Sequence, residues 1–218
     1  IAAVVTEPVQ GAGGVFPPTE GYLAEARRLC DHYGAYLIFD EVISGFGRLG
    51  TWFAAEHYGI TPDLTTFAKG VTSGYLPLGG VIVGPKVREA LEADPEFILR
   101  HGYTYSGHAA ACVAASVNLD IIEREGLLDG VVKMGERLEG GLRSLEADGA
   151  FDHLRSEIAV FAAGLRPDQN AMAVRDRMLE LGVITRAIGT DTITFCPPFV
   201  TTDEQVDHIV DALATALQ

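Results

Sequence analysis

The 218-residue chain carries 30 acidic against 16 basic side chains, a formal net charge of −14, with 48% hydrophobic and 21% charged residues. That length can bury a substantial core as one large domain or two small ones, and the acidic balance argues against a nucleic-acid surface, which needs a basic patch. No apolar run reaches the roughly 18 residues of a membrane span, and no basic segment leads an apolar one at the start, so no signal peptide is expected. Cys30, Cys112 and Cys196 are odd in number and far apart, fitting neither a disulfide framework nor a zinc site. A reducing cytoplasm is the expected compartment.

The chain opens at Ile1 and runs without cap or turn into an apolar strand over residues 2–6, so it is expected to begin partway through a domain of a longer protein. Pro8 holds Glu7 extended and ends that strand. After the glycines and prolines of residues 11–18, Thr19 is placed to cap a helix whose apolar residues recur at helical spacing as far as Tyr33, and Gly34 is its natural stop. Residues 35–39 form a continuous apolar run, as in a strand covered on both faces. Strand, helix and strand within forty residues make a βαβ unit, the building block of a parallel sheet. Further strands are expected over residues 64–67 and 80–83, then a short helix opened by Pro85 and an alanine-rich helix from about His108 to Arg124.

Beyond Gly126 the pattern changes to an amphipathic helix (127–145), an apolar strand (158–165), a helix (171–181), strands over 183–188 and 191–195, and a last helix. Thr202 with Gln205 forms a capping-box signature for that helix. The reading is an α/β fold of two domains: residues 1–120 in a large domain with a mostly parallel sheet, and residues 121–218 in a smaller α+β domain.

Only three lysines occur, and Lys86 and Lys133 lie among charged residues on helices. Lys69 instead follows Thr66-Phe-Ala at a strand end and precedes Gly70. Burial there would make the amine nucleophilic, as a carbonyl-binding lysine requires; the alternative is a snorkelling surface lysine. Asp40-Glu41 closes the most apolar strand, at the end where open α/β sheets bind ligands. One of the two could keep a pyridinium nitrogen protonated, or the pair could bind a metal or simply face water. Gly45-Phe-Gly47-Arg-Leu-Gly50 has the letters of a dinucleotide loop, but residues 40–44 separate it from the strand and only a short helical stretch follows. Arg48 in that loop suits an ion pair or a substrate contact. His108 lacks the geometry of a serine-activating base and suits backbone hydrogen bonding. Arg186, in an otherwise apolar strand, must be paired or face a cleft; its fork fits a substrate carboxylate or a structural ion pair.

Taken together, Glu7-Pro-Val-Gln-Gly-Ala-Gly-Gly14, Asp40-Glu-Val-Ile-Ser-Gly-Phe-Gly-Arg-Leu-Gly50, Thr61-Pro-Asp-Leu-Thr-Thr-Phe-Ala-Lys69, Ser73-Gly-Tyr-Leu-Pro-Leu-Gly-Gly80, His101-Gly-Tyr-Thr-Tyr-Ser-Gly-His108 and Ile184-Thr-Arg-Ala resemble the class III aminotransferases of fold type I, in family order along nearly the whole chain. Trp52, the Thr-Tyr-Ser-Gly-His run and Thr-Arg-Ala are most similar to the ω-amino acid and amine:pyruvate branch. The resemblance implies pyridoxal 5′-phosphate as cofactor, transamination between an amine or ω-amino acid and a keto acid such as pyruvate, and a homodimer with shared active sites. It implies that Lys69 joins the cofactor and shuttles the substrate proton, that Asp40 pairs with the ring nitrogen, and that Val42 packs on the ring. It further implies that Thr104 reaches the phosphate of the neighbouring subunit's cofactor, that Arg186 grips substrate carboxylate, and that Glu7 lies near the pocket. The family's N-terminal half, with its phosphate loop and ring-stacking aromatic, has no counterpart here. Other class III acceptors, 2-oxoglutarate among them, glutamate-1-semialdehyde-type aminomutation and an inactive homologue are the alternatives.

Overall fold

The computed structural model describes residues 1–218. They form two compact units: residues 1–8, 18–47 and 51–125 make the first, and residues 9–17, 48–50 and 126–218 the second.

The first unit is built on a four-stranded sheet of β1 (Ala3–Thr6), β2 (Tyr36–Asp40), β3 (Leu64–Phe67) and β4 (Gly80–Val83), in that spatial order. β1, β2 and β3 run parallel, while β4 is antiparallel to β3. The reversal has a local cause. Only a 3-10 turn (Lys69–Thr72) lies between β3 and β4, without the crossover helix that a parallel neighbour normally requires. The sheet is thus mostly parallel, as expected, with one antiparallel strand.

Helix α1 (Tyr22–Tyr33) links β1 to β2 and buries Leu23 and Cys30 against Ala35, Leu37 and Phe39. Its cap differs from expectation. Gly21, in the left-handed region at φ 77°, precedes the helix without any side-chain cap, and the Thr19 carbonyl accepts the Tyr22 N–H at 3.0 Å, so a tight turn replaces the Thr19 hydroxyl. Gly34, at φ 68°, terminates the helix as its sequence position implies. The Asp63 carboxylate accepts from the Leu37 amide at 2.7 Å and from Arg27 at 2.9 Å, fastening the helix to the sheet. Burial pushes that carboxyl up, but the amide and the guanidinium outweigh it and hold it below its ordinary value. The unit is completed by α2 (Ala54–His57), α3 (Pro85–Glu92) and α4 (Ala109–Arg124). The His108 side chain accepts the Ala111 N–H at the start of α4, the backbone role anticipated for it.

The second unit contains α5 (Leu127–Ala147), β5 (His153–Glu157), β6 (Val160–Gly164), α6 (Ala171–Glu180), β7 (Arg186–Ile188), β8 (Thr192–Phe195) and α7 (Asp203–Ala216). Its sheet is antiparallel throughout, in the order β5-β6-β8-β7. Thr202 and Gln205 form the reciprocal capping box at α7. One apolar core unites Val131, Leu138 and Leu142 of α5 with Phe161 of β6, Met178 of α6, Ile193 of β8 and Leu213 of α7.

Close approach is written into α5. A β-carbon at Gly135 would collide with the Ile158 carbonyl oxygen in the β5–β6 turn. Alanine would favour the helix by about 1 kcal/mol, but a backbone oxygen cannot swing aside, and overpacking costs about 1–3 kcal/mol or more. Ile158 already sits at φ 49°. Gly135→Ala is therefore expected to destabilise the protein by about 2 kcal/mol net, read as a lower urea midpoint; a raised midpoint would show that helix propensity wins. No helix is long and apolar enough to cross a membrane.

Candidate active site

Three parallel strands of the first unit end side by side, and each delivers a chemically active side chain at its C-terminal end. The register pairs Thr6 with Phe39, and Asp40 with Thr66. Glu7 follows β1, Asp40 closes β2, and Lys69 lies two residues beyond β3. Open α/β sheets collect ligands at this edge because it is where loops and helix starts converge.

The structure separates the two carboxylates that sequence left equivalent. Glu41 is wholly buried and faces inward, its oxygens accepting the Ala54 amide at 2.6 Å, the Ala55 amide at 2.8 Å and the Ser44 hydroxyl at 3.0 Å. It caps the start of α2. Burial raises its carboxyl above the ordinary value, partly countered by those amides and that hydroxyl. Asp40 is half-buried; one oxygen accepts the Val42 amide at 3.1 Å and no cation of the chain pairs with it. Of the two, Asp40 is the one free to meet a ligand, with Val42, also half-buried, beside it.

Lys69 opens the 3-10 turn with φ 41°, a left-handed conformation uncommon for a side chain of its size. Its side chain is exposed, the second of the two states its local sequence leaves open. Apolar flanks here end a strand rather than enclose the lysine. Beneath the turn, a β-carbon at Gly70 would lie 3.3 Å from Phe46 Cβ and 3.4 Å from the Gly45 carbonyl, so the glycine admits the loop of residues 45–47 closely. Phe46 stacks edge-on to Phe67 with centroids 5.5 Å apart. Sequence reasoning passed over Asn118 of α4, whose Nδ2 donates to the Gly70 and Val71 carbonyls at 2.9 and 3.2 Å. One amide in an alanine-rich helix is a weak signal when its partners lie nearly fifty positions away.

The glycine loop lacks the donors of a dinucleotide site. The short helix after it, α2, has the amides of Ala54 and Ala55 committed to Glu41, leaving no free helix N-terminus for a pyrophosphate. In the second unit, Arg48 donates to the Ala159 and Pro197 carbonyls at 3.1 and 2.8 Å and lies 4.8 Å from the Phe199 ring centroid. Burial lowers its pKa. It ties chain segments together rather than forming an ion pair.

Thr104 is exposed in the turn preceding α4. Arg186 belongs to the second unit, where it begins the edge strand β7; its side chain is exposed and enters no ion pair. The strand is three residues long rather than the six expected, and Arg186 stands at its start.

An aldehyde cofactor with a basic ring nitrogen needs an accessible primary amine and a carboxylate not already neutralised. Lys69 and Asp40 meet both requirements at adjacent strand ends, so the residues present fit pyridoxal 5′-phosphate.

Comparison with known proteins agrees with this chemistry. The family model described as Aminotransferase class-III matches residues 1–217. A diaminobutyrate–2-oxoglutarate transaminase of Halomonas elongata is 44% identical over 96% of this chain and 48% of its own length. A beta-alanine–pyruvate aminotransferase of Pseudomonas aeruginosa is 38% identical over 100% of this chain and 50% of its own. Among solved structures, a transaminase from the marine bacterium Virgibacillus matches with a TM-score of 0.94 at 39% identity, covering 100% of this chain and 52% of that one. The chain thus spans about half the length of the curated relatives it matches.

Proposed function

The chain belongs to the class-III aminotransferase family and has the fold of its solved transaminase relatives, and from that premise we propose that it is part of a pyridoxal-phosphate enzyme moving an amino group from an amine or ω-amino acid to a keto acid such as pyruvate. The observation that carries the reading is the pairing of an accessible amine, Lys69, with a cation-free carboxylate, Asp40, at the C-terminal ends of neighbouring parallel strands.

When bound, pyridoxal 5′-phosphate supplies an electron sink for the bond broken at the substrate carbon. Lys69 Nζ would hold the cofactor aldehyde and, when free of it, would carry the proton that leaves and returns to substrate. The Asp40 carboxylate keeps the ring nitrogen protonated, and the Val42 amide holds that carboxylate in place. Val42 supplies apolar contact to the ring, with Glu7 nearby. Residues 1–120 serve as part of the large cofactor domain and residues 121–218 as the small domain. The enzyme works in the cytoplasm as a homodimer, in which Thr104 reaches the neighbouring subunit's cofactor phosphate. The Arg186 guanidinium takes the substrate carboxylate.

The test is alanine formation from pyruvate with β-alanine or a carboxylate-free amine as donor. Glutamate formation from 2-oxoglutarate alone would move the acceptor to that of the Halomonas relative's name, and no amino transfer to either acceptor would overturn the reading. Arg186→Ala is expected to raise KM for β-alanine about 10- to 100-fold, the worth of one charge-assisted hydrogen-bonded contact. The half-reaction of a carboxylate-free amine should hardly change, and equal losses for both donors would remove Arg186 from the pocket.

A further inference from the structure

We propose that Asn118 is a positioning residue for the site, acting through the turn that carries Lys69. The inference rests on the reading of Lys69 as the cofactor-binding lysine and extends it to a residue on another element. Lys69 stands in the left-handed region at φ 41°, and Ser73, just past the turn, at φ 51°. Such conformations are unfavourable for non-glycine residues and persist only where the surroundings over-determine them. At the ends of the turn the Val71 amide donates to the Ala68 carbonyl at 3.2 Å and the Ser73 amide to the Gly70 carbonyl at 3.3 Å, both at the long end of the normal range, and the Thr72 hydroxyl donates to the Leu76 carbonyl at 2.6 Å. Short 3-10 segments have poor hydrogen-bond geometry, so a restraint from outside the turn adds to what holds it.

Asn118 supplies such a restraint from another element. Its Nδ2 donates to two successive carbonyls, Gly70 at 2.9 Å and Val71 at 3.2 Å, the peptide groups directly after Lys69. Two carbonyl partners leave no ambiguity about which end of the amide faces the turn. Around this clamp, Ala115 and Leu119 of α4 pack with Val71, Phe46 and Phe67, so the turn is pinned by α4 on one side and Phe46 on the other. α4 is itself rooted at His108 by the side-chain cap. The strain at Lys69 is therefore held by a polar contact that can be removed without touching the lysine. Releasing it lets the turn relax and the amine leave its working direction, and a displacement of about 1 Å is enough to matter to a positioned group.

The test compares Asn118→Asp, Asn118→Ala and Lys69→Ala in the cofactor-loaded enzyme. In Asn118→Asp the size is kept, but a carboxylate faces two carbonyls. Expected is a fall in kcat of about 10- to 100-fold with KM for the amine changed less than about threefold, together with a shift of the pH midpoint of the bound cofactor's absorbance. Asn118→Ala should lie between wild type and Asn118→Asp. A structural role alone would lower the melting temperature and leave the absorbance midpoint and kcat unchanged, and that result would overturn the proposal. Retention of covalently bound cofactor in Lys69→Ala would instead show that the lysine assignment had failed, and the role of Asn118 with it. Loss in Lys69→Ala with wild-type behaviour of both Asn118 variants would overturn the Asn118 inference alone.

Discussion

Replacing Lys69 by alanine is expected to abolish covalent attachment of pyridoxal 5′-phosphate and to lower turnover about 10³-fold or more, the scale lost when a positioned proton carrier is removed. All three lysines of the chain, Lys69, Lys86 and Lys133, are exposed, so accessibility does not single out Lys69. Position does. Lys86 belongs to α3, with its ammonium 5.1 Å from the centroid of the Tyr36 ring, and Lys133 belongs to α5 in the second unit. Neither follows a parallel strand that ends beside a cation-free carboxylate. Lys69 does, and its backbone is held in a conformation that an ordinary surface lysine has no reason to adopt. Borohydride reduction followed by peptide mass spectrometry reads the outcome directly. A single adduct at residue 69 in the wild type, lost in the alanine variant, is the expected result; an adduct that persists on Lys86 or Lys133 would falsify the assignment.

Much of this arrangement is legible in the sequence, and what is not has identifiable physical causes. β3, β4 and the start of α3 fall where the apolar runs and Pro85 place them, and the capping box at Thr202 forms as its residues dictate. β5 was passed over because His153-Leu-Arg-Ser-Glu157 has no apolar periodicity. Its strand conformation comes from pairing with β6, a nonlocal interaction invisible in a local pattern. The direction of β4 is likewise a property of the connection rather than of its residues. In the site, adjacency in sequence hid a division of labour. A strand sends successive side chains to opposite sides, so Asp40 and Glu41 could not share one role, but which of them faced inward depended on α2, thirteen residues further on. The clamp of Asn118 lies one level higher still, in the packing of a helix on a turn.

Glu41 offers the sharpest test of that division, because its bonds are those of a structural cap although it neighbours Asp40, the carboxylate proposed to meet the cofactor. Glu41→Ala leaves the buried Ala54 amide, the part-buried Ala55 amide and the buried Ser44 hydroxyl without their acceptor. At about 1–3 kcal/mol for an orphaned buried group, with the loss shared among neighbouring groups that do not add independently, a destabilisation of about 4 kcal/mol is expected. Glu41→Gln keeps the volume and one acceptor oxygen, turns an amide NH2 towards one of the donors and removes the charge; its cost should be about 1–2 kcal/mol. The pH dependence distinguishes the two states of the carboxyl. Burial raises the folded-state pKa above the ordinary 4.5, so the native protein binds this proton more tightly than the unfolded chain does. The corresponding stability is fully present below the unfolded value and is lost as pH rises through the folded one. Wild type should therefore exceed Glu41→Gln by the widest margin in acid, with the margin narrowing as pH rises through the folded pKa and levelling off above it. Denaturant unfolding of both proteins across that range measures the margin. A margin that widens with pH would mean that the three donors depress the Glu41 pKa, and that the cap stabilises the carboxylate more than burial disfavours it.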